Sequence, residues 1–89
     1  MTLHVQAQTS MTNRDKVLEY MRMKIHLYVR QVLRKSERDA LLLSGKCVDL
    51  ARQKNLMIRD ITKLSTAEVE AISPDIEVAK ALHGAFNQT

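Results

Sequence analysis

Apolar positions recur at spacings of three and four along the first half of the chain: Val17 or Leu18, Met21, Ile25, Tyr28 or Val29, and Val32. That period is the signature of an amphipathic helix. No Gly or Pro interrupts it before Lys35, and Thr12 or Asn13 can cap its start, with Asp15 placing negative charge in the first turn. The pattern predicts one long helix of about six turns. Met23 and Leu27 fall off the main stripe and widen the apolar surface. A second helix is predicted from Ser36, with Asp39 three residues on as a partial capping box. Gly45 can end a short helix in the left-handed conformation or sit inside a longer one; Leu43, Cys47, Leu50 and Ala51 stay on one face across it, which favours a helix running through the glycine to Lys54 and stopping at Asn55.

Shorter elements follow. Leu56 to Leu64 reads as a short helix or a turn and a helix, carrying Leu56, Met57, Ile58, Ile61 and Leu64. Ser65-Thr66-Ala67-Glu68 is a full capping box for a helix reaching Ile72. Ser73-Pro74-Asp75-Ile76-Glu77 reads as cap, proline at the first helical position and acids in the first turn. Ile76 or Val78, Ala79, Leu82, Ala85 and Phe86 form the apolar face of the last helix. Residues 1–11 are polar apart from a few positions such as Leu3 and Val5, and read as a flexible arm. The expectation is a flexible arm (1–11) and one all-α domain (12–89), a small bundle of four to five helices with one long N-terminal helix.

Composition supports that class. Two Gly and one Pro in 89 residues leave little turn chemistry for a sheet, and 45% hydrophobic residues suit a folded core. So short a chain buries a limited share of its surface, which points to oligomerisation or a partner as a source of stability. The single Cys47 excludes an internal disulfide, and no apolar run approaches a membrane span, so a reducing, cytoplasmic setting is expected. Catalytic chemistry is poorly provided for. Cys47 shares a stripe with Leu43 and Leu50, as a structural thiol would. His4, His26 and His83 lie far apart, without metal-ligand spacing, and there is no glycine-rich phosphate loop. No cofactor, metal or small-molecule substrate is expected.

Charge is polarised along the chain. Residues 14–38 carry a net +5, residues 39–63 a net +2, and residues 64–89 a net −3. The acidic last helix can lie against the basic first one, or the basic face of Arg22, His26, Arg30 and Arg34 can meet an acidic partner or phosphates.

One local pattern has a known counterpart. Ala51 is a small residue inside a helix, Asn55 is a turn residue, and Leu50, Leu56, Ile61 and Leu64 are apolar positions around it. With that set, residues 47–66 resemble a degenerate helix-turn-helix of bacterial DNA-binding proteins. The resemblance implies that Arg59, Thr62, Lys63 and Thr66 face DNA, with the first helix as dimerisation element. Lys54 departs from the pattern, which has an apolar residue there. The capping box at Ser65 ends the second helix after about seven residues, short for a major groove.

The leading expectation is a non-catalytic regulatory or adaptor protein that docks on another protein or on a second copy of itself. The long, Met-containing first helix carries it. Met21, Met23, Ile25, Leu27 and Tyr28 are the expected contacts, with Arg22 and Arg30 orienting an acidic partner. A small DNA-binding regulator is the alternative.

Overall fold

The computed structural model describes residues 12–87, and the expected arm lies outside them. The described residues form five helices and no strand: α1 (Asn13–Gln31), α2 (Glu37–Lys54), α3 (Ile58–Lys63), α4 (Thr66–Ile72) and α5 (Ile76–Phe86). The small all-α bundle with a long first helix is therefore what the chain forms.

Thr12 opens α1 with a reciprocal cap: its hydroxyl accepts the Asp15 N–H at 3.1 Å, and the Asp15 carboxylate accepts the Thr12 N–H at 3.3 Å. Leu18, Met21, Ile25 and Val29 make its buried stripe. The helix stops at Gln31, a turn before the expected end at Lys35. Arg34 adopts a left-handed conformation (φ 59°), and the Lys35 N–H turns back to the Val29 carbonyl at 3.1 Å. Val32 consequently leaves the core and is 46% exposed.

Ser36 caps α2 by accepting the Asp39 N–H at 3.1 Å. The helix runs unbroken through Gly45, and Asn55 ends it in the left-handed region at φ 52°, both as the pattern predicts. Arg14 ties the two long helices together. Its guanidinium donates to the Ala51 carbonyl at 3.1 Å and to the Met57 sulfur at 3.5 Å, at the end of α2 where a cation is favoured.

The remaining helices are short and individually capped. The Asp60 carboxylate accepts the Met57 N–H ahead of α3, and Ser65 and Glu68 exchange both bonds of a capping box ahead of α4. Those bonds hold the exposed Glu68 carboxyl below its usual range, the Ser65 backbone N–H first and the Ser65 hydroxyl second. α5 begins two residues later than expected. Asp75, not Ser73, is its cap, accepting from the Glu77 and Val78 N–H groups, while Ser73 is spent on a local turn with the Asp75 backbone. Pro74 thus precedes the helix instead of opening it. Val78 is buried and Ile76 exposed, which decides between the two candidate core positions. Leu64 is only half-buried, because α3 has already ended at Lys63 and its side chain leaves the buried face.

α5 holds the bundle together. It packs against each of the other four helices, burying Val78, Ala79, Ala81, Leu82 and Ala85. Three of those five are alanines, which let neighbouring backbones approach closely. Lys35 pairs with Glu77 at 3.4 Å and Lys46 with Asp75 at 3.8 Å, so the acidic segment faces basic residues around the α1–α2 turn and α2. Both pairs are partly exposed and contribute modestly.

The two glycines have opposite roles. A methyl group at Gly45 would meet nothing nearer than an Arg22 nitrogen at 3.8 Å, whereas at Gly84 it would collide with the Tyr28 ring and hydroxyl. Gly45→Ala should raise stability by about 1 kcal/mol, the ordinary gain inside a helix. Gly84→Ala should lower it by roughly 1–3 kcal/mol through overpacking. Urea denaturation checks both, and pairing Gly84→Ala with Tyr28→Ala should remove most of the Gly84 penalty.

Candidate docking surface

Consecutive helical residues are rotated by about 100°, so a helix buried on one stripe presents the opposite side to solvent. On α1 that outward side carries Tyr20, Met23 and Leu27, exposed by 46%, 50% and 43%. They are spaced three and four apart and form a second apolar stripe, roughly 10 Å long at the helical rise. Leu41 of α2 is 56% exposed and extends the surface across the helix pair. Between Met23 and Leu41 lies a depression of about 250 Å³, walled by Glu19, Arg22 and His26 on one side and Glu37 and Ser44 on the other.

Its polar groups are arranged. Ser44 is fully buried beneath it and donates to the Leu41 carbonyl at 3.1 Å, so its hydroxyl is satisfied. Glu37 lies 3.2 Å from the His26 Nε2 and 3.4 Å from the Arg30 Nε. Arg30 also donates to the Lys35 carbonyl at 3.0 Å, which holds its guanidinium at the rim. Arg22 lies 3.8 Å from Glu19.

The structure redistributes the expected contact residues. Arg22, Met23, Leu27 and Arg30 lie at or near the surface. Met21 and Ile25 do not: both are completely buried, on the inward stripe with Leu18 and Val29. Tyr28 is half-buried against the core, its ring lying over Gly84 of α5, so its position is structural. Tyr20 and Leu41 are further exposed contributors, and Leu42 is exposed elsewhere on α2. The signal for the leucines was present. Leu41, Leu42 and Leu43 are consecutive on a helix, so they span about 200° and cannot all face one core. Leu43 is the buried member.

Residues 47–66 span the end of α2, a break at 55–57, the short α3 and the start of α4. α3 has six residues, about 9 Å at the helical rise, and packs on α5. Arg59, Thr62 and Lys63 are exposed on it, and the Thr62 hydroxyl donates to the Arg59 carbonyl at 2.8 Å. Thr66 belongs to α4, beyond the Ser65 cap. The four residues are therefore split between two helices, and the cap separates them.

Cys47 is buried and donates to the Val78 carbonyl at 3.5 Å. Burial, with a smaller contribution from the Asp75 charge, pushes its thiol up to about 12. That environment disfavours a reactive thiolate. Among the described residues no helix is long and apolar enough to cross a membrane, and no group of three or more His, Cys, Asp or Glu could hold a metal ion. No family model, no curated protein and no solved structure matches the chain.

Proposed function

We propose that the protein is a small, non-catalytic adaptor or regulator that works in the cytoplasm by docking on another protein through the outward face of α1. The observation that supports this is the second apolar stripe, Tyr20, Met23 and Leu27, continued by Leu41 over a side-chain-sized depression. Singly scattered apolar residues are normal on a surface, but a contiguous group bordered by charge marks an interaction site. Arg22 and Arg30 sit at its border, where they can orient a partner. A flexible thioether such as Met23 suits contact with an apolar partner surface.

The test is site-specific photo-crosslinking in cells that make the protein. A crosslinking side chain at position 23 or 27 should give one discrete protein adduct, and position 52, elsewhere on α2, should give none. Leu27→Asp should abolish the adduct formed from position 23. Met23→Ala and Leu27→Ala should change stability by less than about 0.5 kcal/mol, as exposed positions do. Adducts equally frequent from all three positions would refute the docking reading.

A further inference from the structure

The outward face of α1 carries an excess of cations over acids. Lys16 and Arg30 lie along the same side as Tyr20, Met23 and Leu27, and Lys24 borders it. The nearest acid, Glu19, is paired with Arg22, and Glu37 is engaged by His26 and Arg30. Neither Lys16 nor Lys24 is in an ion pair among the described residues. Taking the docking reading as its basis, we infer that the occupant of this face is an amphipathic helix of another protein, with acidic residues flanking its apolar stripe and one large apolar side chain seated between Met23 and Leu41.

Charge complementarity selects this occupant over the others. A second copy would meet its own charges: centred on Met23, an antiparallel pairing sets Lys16 opposite Arg30, and a parallel one sets Lys16 opposite Lys16. Like charges in those places oppose association. Residues 1–11 contain no Asp or Glu and so offer nothing to the lysines. Shape adds the second argument. The depression of about 250 Å³ between two helices is concave, and a concave site accepts a protruding side chain as an anchor. A bilayer surface offers no such protrusion.

A displayed library of amphipathic helices tests this directly. The apolar stripe is kept as Leu, Ile, Phe or Met, and the flanking positions are randomised. Selection on the full-length protein should enrich Asp and Glu at the flanks. Met23→Glu should weaken the enriched binders by roughly tenfold or more, the scale of one central contact. Raising salt from about 50 to 500 mM should weaken them several-fold by screening. The variant Lys16→Glu with Lys24→Glu, its fold checked by circular dichroism, should instead enrich Lys and Arg.

The outcomes separate the two claims. Binders that need Met23 but carry neutral flanks would overturn the acidic helix and leave the docking face standing. A library yielding no binder sensitive to Met23→Glu would overturn both. Sedimentation equilibrium giving a dimer that Met23→Glu dissolves would replace the partner with a second copy. Co-sedimentation with phosphatidylserine vesicles, lost in the same variant, would replace it with an anionic membrane.

Discussion

Leu82→Ala should destabilise the protein by roughly 2–5 kcal/mol, read as a fall in the urea midpoint with little change in slope. Leu82 is enclosed, on a helix that packs against each of the other four. Removing its branched end takes away both apolar burial and the contacts of surrounding atoms, and the alanines beside it on α5 are too small to close the gap. A loss of that size is a large part of a small domain's stability. Leu64→Ala should cost distinctly less, since Leu64 is half-buried. Equal losses at the two sites would mean that α5 does not organise the core.

Alkaline pH should unfold the protein through Cys47. Its thiol ionises near 9 in the unfolded chain and at about 12 in the folded one. Below 9 both states hold the proton and the stability is fully present. Between 9 and 12 the unfolded chain ionises first, which favours unfolding by about 1.4 kcal/mol per pH unit. The loss approaches about 4 kcal/mol at the top of the window. Tyr and Lys also titrate there, so the measurement is a difference: stability against pH for the native protein and for Cys47→Ala. The variant starts lower, having lost packing, and should fall less steeply above pH 9. Iodoacetamide should label the native thiol only as fast as the protein opens. Parallel curves would show that the thiol is not kept protonated by burial.

Local chemistry carried most of the fold in the sequence. Thr12 with Asp15, Ser36 with Asp39, and Ser65 with Glu68 each announce a helix start because a short polar side chain satisfies free N–H groups within four residues. Asn55 announces a stop for an equally local reason. Continuity through Gly45 followed from the apolar stripe on both sides of it. The failures involve longer reach. Arg34 gives no hint of a left-handed stop, since that conformation is held by backbone bonds that any residue can provide. Asp75 and Ser73 are both able to cap, and only the burial of Val78 on the inward face of α5 decides between them. The proposed docking face was half legible. Met23 and Leu27 fall off the main stripe by count alone, but Met21, on the stripe, was credited to both faces. Leu41 needed the pairing of α1 with α2 before its position beside Met23 could be seen.

The place of α5 in the chain sets an order of events during synthesis. The helix that closes the core follows every helix it covers. Until residues 76–86 have been made, the inward stripes of α1 and α2 have little beyond each other and Ile61 of α3 for shelter, and the outward stripe of α1 lies beside uncovered core residues. A growing chain in that condition has sticky surface on two sides of one helix, a circumstance that favours misassembly. For the proposed docking on the outward stripe, selectivity is expected only once α5 has withdrawn the competing one.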